Sequence, residues 1–219
     1  MEDFFSHFGG SMCSHYHGPK HEQLTLAFGT SPQENISTDL WPGYCGAFLR
    51  RHADADADDE AVSPIEVLAG TFGLLPFWAK STTLARSTYN ARSETAAEKP
   101  SFRNAWKNRQ FCLIPAVSIF EPDWRTGQAV ATEISRTDGE FMMIAGLWEH
   151  GPLGYSYTML TLDASGHSVM HHMHKGAEKR MVAVLPAAQY SDWLDATPER
   201  AMDFVQQYPA ERLTALARG

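Results

Sequence analysis

The ten residues from Phe111 to Phe120 are almost wholly apolar. A run of that length and composition needs cover on both faces, so it predicts a buried central strand rather than a surface element. Glu121 arrives at its end, beside Pro122. A desolvated carboxylate there would have a raised pKa, which is how a general acid is made. A solvated Glu at a strand end is the other reading, and position alone favours it. Upstream, Pro100 and the spacing of Phe102, Ala105 and Trp106 predict a short helix. The polar run Tyr89 to Thr95 predicts a loop or strand end that displays its side chains.

Around this centre the rest of the chain reads as mixed α and β. Tyr44 to Leu49 and Phe141 to Glu149 are expected strands, and Tyr155 to Leu162 alternates as the hairpin partner of the second. Gly146 is expected to allow close backbone approach and Trp148 to fill core. Thr197-Pro198-Glu199 looks like the start of a helix whose apolar face is Met202, Phe204 and Val205. No internal repeat or domain linker interrupts the chain.

The 219 residues, 43% apolar and 20% charged, suffice for one substantial core. No run approaches the ~18 apolar residues of a membrane span, and Met1 to Gly10 lacks the pattern of a signal peptide. An intracellular, cytoplasmic chain is expected. Cys13, Cys45 and Cys112 are odd in number and widely spaced, which argues against a disulfide framework.

The net charge of -8 counts against a nucleic-acid partner, but its distribution weakens the objection. Acid is concentrated in Asp54, Asp56, Asp58, Asp59 and Glu60, read as a mobile surface loop. Lys80, Arg86, Arg92, Lys99, Arg103, Lys107 and Arg109 stand against only Glu94 and Glu98, and form either a phosphate-facing surface or a solvated basic face. Of Phe77 and Trp78 beside them, one is expected in the core and the other free to stack on an unpaired base. His171, His172 and His174, with Cys13, could suggest a metal site. Adjacent histidines point apart and no ligand-like spacing supports it, so neither metal nor cofactor is expected.

These motifs together carry a family resemblance. Asn90-Ala91-Arg92-Ser93-Glu94-Thr95, the Pro100-Ser101-Phe102-Arg103 helix, Cys112 to Ala116 leading to Phe120-Glu121, and Ala145 to Glu149 resemble the SOS-response-associated peptidase family. Phe72 and Trp78 stand at its paired tryptophan positions, His174 precedes Arg180-Met181 as its histidine does, and Met12-Cys13-Ser14-His15 resembles its Met-Cys-Gly-Arg start. The resemblance implies an α+β fold, a mainly antiparallel, barrel-like sheet with surrounding helices, as one domain over 12–219. It implies a site of Cys13, Asn90, Glu121 and His174. Trp78, Arg92, Arg103, Arg180 and His15, which replaces the family's Arg, would contact DNA. It also implies, as partner, single-stranded DNA carrying an abasic site, with a monomer as the expected state.

In such a site the N-terminal cysteine offers an amine and a thiol, which together convert an aldehyde into a thiazolidine. Here residues 1–11 precede Met12, and an amide nitrogen cannot form a Schiff base. Met12 as initiator, self-cleavage of the prefix, and loss of the reaction are the alternatives, in that order. Three functions stay open: an abasic-site cross-linker, a thiol peptidase, and a non-catalytic single-stranded DNA-binding module.

Overall fold

The computed structural model describes residues 13–53 and 63–218. The expected N-terminal extension and the acidic loop from Asp54 to Glu60 lie outside the described residues. Twelve strands are present among them: β1 (His15–His17), β2 (Asp39–Leu40), β3 (Cys45–Arg51), β4 (Ile65–Phe72), β5 (Asn90–Arg92), β6 (Phe111–Ala116), β7 (Ser118–Asp123), β8 (Val130–Arg136), β9 (Met142–Gly151), β10 (Gly154–Asp163), β11 (Arg180–Val182) and β12 (Leu213–Ala217).

Five strands close into a barrel in the order β10-β4-β3-β6-β9, with β9 pairing back onto β10. The barrel is mixed, because β4 joins β10 in parallel while β9 and β10 form the expected antiparallel hairpin. β5 and β11 also attach to β10. The second sheet is antiparallel, ordered β12-β8-β7-β1-β2. With short helices outside, this is the α+β, barrel-like architecture expected.

The central apolar run differs from expectation in one respect that positions the site. It forms two strands, not one. All six residues of β6 are buried between β3 and β9. At Val117, whose N–H donates to the His17 carbonyl at 2.7 Å, the chain leaves the barrel. β7 then runs in the second sheet between β1 and β8. Glu121 therefore sits inside a strand rather than after one, and it is only 4% exposed. The solvated reading of this carboxylate is overturned because neighbouring strands cover it.

The two sheets share one core. Tyr16 from β1 and Tyr157 from β10 meet hydroxyl to hydroxyl at 2.6 Å, and the Phe72 ring stacks on Tyr157. Gly146 lies where β6, β9 and β10 crowd. A Cβ there would stand 2.5 Å from the Thr158 carbonyl oxygen and 2.6 Å from Ile114 Cδ1, so only glycine fits without movement. Trp148 is half-buried, packed against the core beside Phe48 with the Arg50 guanidinium over its outer face, 4.2 Å from its ring centre.

Outside the sheets, Arg103–Lys107 forms the expected short helix and buries Ala105 and Trp106. The expected C-terminal helix is only a short 3-10 turn, Ala201–Phe204, with Met202 exposed. The nearby α-helix is instead Tyr190–Leu194, anchored by Trp193, which donates from its indole to the Cys112 carbonyl at 2.8 Å. Phe77 and Trp78 are both exposed, so neither is the core residue expected.

Candidate DNA-reactive site

The pairing of β1 with β7 sets His15 against Phe120, so the chain just before His15 meets Glu121. The backbone N–H of Cys13 donates to Glu121 Oε1 at 2.8 Å. The Cys13 thiol faces back to the His15 carbonyl at 3.7 Å. From β5, the Asn90 side-chain amide donates to the Cys13 carbonyl at 3.2 Å. Glu121 and Asn90 thus hold the two ends of one peptide residue, the carboxyl at its nitrogen and the amide at its carbonyl.

The electrostatics follow from burial. Desolvation pushes the Glu121 carboxyl up to about 8, against the opposing pull of the Cys13 N–H and thiol. It is therefore largely protonated at neutral pH and able to donate. The Cys13 thiol is pushed well above its ordinary value, first by burial and then by the Glu121 charge, so it is held un-ionised. The buried Tyr89 hydroxyl next to Asn90 is pushed up to about 12 by burial, with Cys13 and Glu121 adding to the effect. Tyr89 is a site neighbour that sequence reasoning passed over; its position beside Asn90 was the only signal.

His174 stands apart from these contacts. Its Nε2 donates to the Arg180 carbonyl at 3.1 Å, which leaves the lone pair of the neutral ring on Nδ1. Burial lowers its pKa. Arg180 is buried, with its guanidinium on both carboxylate oxygens of Glu94 at 2.7 and 2.8 Å and on the Thr161 carbonyl at 2.8 Å. Those contacts tie β11 to the turn after β5, and they leave this side chain little surface for a phosphate.

The remaining basic and aromatic positions lie outside. Arg92 is exposed and paired with Glu178 at 2.6 Å. Asn90, Arg92, Lys99 and Phe102 line a cavity of about 310 Å³. A larger groove of about 950 Å³ is bordered by Phe77, Trp78, Arg103 and Lys107. His15 is wedged between the rings of Trp41 and Phe120, with centroids at 4.1 and 4.3 Å, and contacts Asp39 at 2.5 Å.

The family model of SOS response associated peptidase (SRAP) matches residues 12–217, nearly the whole described chain. The chain belongs to this family. A solved structure of a protein from Bordetella bronchiseptica is similar to it at 41% identity with a TM-score of 0.81, covering 94% of this SRAP chain and 100% of that one. The abasic site processing protein YoqW of Bacillus subtilis is 29% identical over 66% of this chain, which spans 65% of that relative's length. The abasic site processing protein HMCES of Pongo abelii is 26% identical over 86% of this chain and 59% of its own. No helix among the described residues is long and apolar enough to cross a membrane.

Proposed function

We propose that this SRAP chain captures abasic sites in single-stranded DNA through Cys13, in a form whose chain begins at that residue. The observation that carries the reading is the Cys13 nitrogen on the Glu121 carboxyl. In the reactive form that nitrogen is an amine, with a reference pKa of about 8. Glu121, whose carboxyl burial pushes up, donates its proton to the ring oxygen of the deoxyribose while the C1 hydroxyl gives up its own to water, and the ring opens to the aldehyde. The amine adds to the aldehyde carbon, and loss of water gives the imine. The thiol then adds to the imine carbon and its proton passes to the nitrogen, closing the five-membered thiazolidine. Aldehyde and cysteine condense with release of one water, and no oxidant is needed.

Asn90 is a positioning residue in this scheme, because it fixes the Cys13 carbonyl and hence the direction of the amine. The family resemblance carries the proton transfer of imine formation and reversal to His174, whose Nδ1 keeps its lone pair although its ring bonds to the Arg180 carbonyl rather than to Cys13 or Glu121. Trp78 and Arg103, exposed on the large groove, hold the strand by stacking and phosphate contact, and Arg92 borders the cavity that leads from Asn90. The relatives described as abasic site processing proteins support the same substrate.

A thiol peptidase has less support, because the relatives this chain resembles are described as abasic site processing proteins, while burial of the Cys13 thiol weighs equally on either use of it as a nucleophile. The two readings separate in a paired assay. The chain beginning at Cys13 is given an abasic-site oligonucleotide and, separately, a mixture of unstructured peptides. A band that resists denaturant with the DNA and no cleavage of the peptides is expected; peptide cleavage without a DNA adduct would reverse the assignment. DNA retention without either reaction would leave a binding module.

A further inference from the structure

The face of the second sheet opposite Tyr16 carries a set of side chains that the abasic-site chemistry does not use. Strand alternation puts His15 and His17 on one face of β1 while Tyr16 is buried on the other. The β1–β2 register places Asp39 directly across from His17. One ligand atom from each of the three lies within 4.8 Å of the others, the only such set of three among the described residues. Asp39 Oδ1 is 2.5 Å from His15 Nε2 and 3.7 Å from His17 Nε2.

We propose that His15, His17 and Asp39 form a binding site for a divalent transition cation of the zinc class. Ligands about 2.0 Å from a tetrahedral metal stand roughly 3.3 Å apart, so the two histidine–aspartate contacts need adjust by less than an ångström in opposite directions. Two imidazoles and one carboxylate suit borderline first-row cations, whereas calcium and magnesium demand more oxygen. The rings are already held. His15 is wedged between Trp41 and Phe120, and the other nitrogen of His17, Nδ1, faces Glu133 Oε1 at 4.0 Å. Glu133 is in turn paired with Arg218. At that distance the carboxylate makes no hydrogen bond to the ring, but a small rotation of His17 would bring its Nδ1–H onto Glu133 and leave Nε2 free for a metal. Asp39 and His17 are 62% and 42% exposed, which leaves room for water on the fourth coordination position.

An ordinary surface ion pair would explain His15 and Asp39 alone. It would not by itself bring the Nε2 of a second imidazole to within 3.7 Å of the same oxygen. The cation would clip the two-residue edge strand β2 to β1, two residues from Cys13, and so brace the segment that presents the reactive nitrogen.

The test is titration of the full chain with zinc by calorimetry and with cobalt by visible absorption. One equivalent is expected to bind, with four-coordinate cobalt bands and no thiolate charge-transfer band. Asp39→Ala and His17→Ala should each weaken binding by about tenfold or more, and Glu133→Gln by less. Because Asp39 is exposed, Asp39→Ala should keep its metal-free melting temperature, so its loss of affinity is not a loss of fold. The double variant His171→Ala, His172→Ala should bind as the parent does. Unchanged affinity in Asp39→Ala and His17→Ala, a thiolate band, or no zinc binding below millimolar concentration would overturn the site.

Discussion

Cys13 and Glu121 are 108 residues apart in sequence, yet the nitrogen of one donates to the carboxyl of the other at 2.8 Å inside the protein. Neither group has its ordinary chemistry there. The carboxyl keeps its proton to about pH 8, and the thiol keeps its proton beyond its usual range.

Burying Glu121 should make the fold pH-sensitive. Between its ordinary 4.5 and about 8, the folded protein holds a proton that the unfolded chain has lost. The stability tied to this group is complete below pH 4.5 and is lost as pH rises through 8. Glu121→Gln should flatten that decline and exceed the parent in stability at alkaline pH, by a few kcal/mol at most. Denaturant melts at pH 5 and pH 9 measure it; parallel curves for the two proteins would count against a buried, protonated Glu121.

The thiols should differ in reactivity. Cys13 and Cys112 are buried and held protonated, while Cys45 is only partly covered. Brief alkylation of the native full chain at neutral pH should label Cys45 first. Peptide mapping that finds Cys13 labelled fastest would show an activated thiolate and revive the peptidase reading.

Gly146→Ala should destabilise the protein by about 2 kcal/mol or more, because the added methyl meets the Thr158 carbonyl and Ile114 within the barrel wall. A melting temperature equal to the parent's would mean that β9 and β10 can part without cost.

Arg103 and Arg180 should behave as opposites. Arg103 is exposed on the large groove, so Arg103→Ala should weaken single-stranded DNA binding and reduce the slope of affinity against salt by about 0.7, with stability unchanged. Arg180 is committed to Glu94 and Thr161, so Arg180→Ala should lower stability while the salt slope of the folded variant stays the same. Salt-dependent binding paired with thermal melts separates the two; a reduced slope in Arg180→Ala would place it on the DNA.

Four of the five barrel strands, β3, β6, β9 and β10, could be read from local pattern, whereas β4 and the closure of the sheet could not. The β9–β10 hairpin, the Arg103–Lys107 helix and the close approach at Gly146 all follow from alternation, spacing or a missing side chain. The switch of sheets at Val117 could not, because residues on both sides of it are apolar and periodicity does not record which partner a strand meets. Glu121 is buried by β1 and β8, elements distant in sequence, so its protonation was beyond local reasoning. The same holds for Asp39 opposite His17, because local pattern does not record the strand pairing that brings them together. In the tail, Thr197-Pro198 signalled a helix start. Tertiary anchors prevailed instead, among them His167 Nε2 on the Tyr208 carbonyl at 2.8 Å.

In the proposed reaction Glu121 places the Cys13 nitrogen for attack on an aldehyde. The most direct test of that reaction is the intact mass of the product when a chain beginning at Cys13 is mixed with single-stranded DNA carrying an abasic site. A denaturant-resistant species is expected whose mass is that of protein plus oligonucleotide less one water, formed more slowly by Glu121→Gln. Absence of that species, under conditions where free cysteine condenses with the same oligonucleotide, would contradict it.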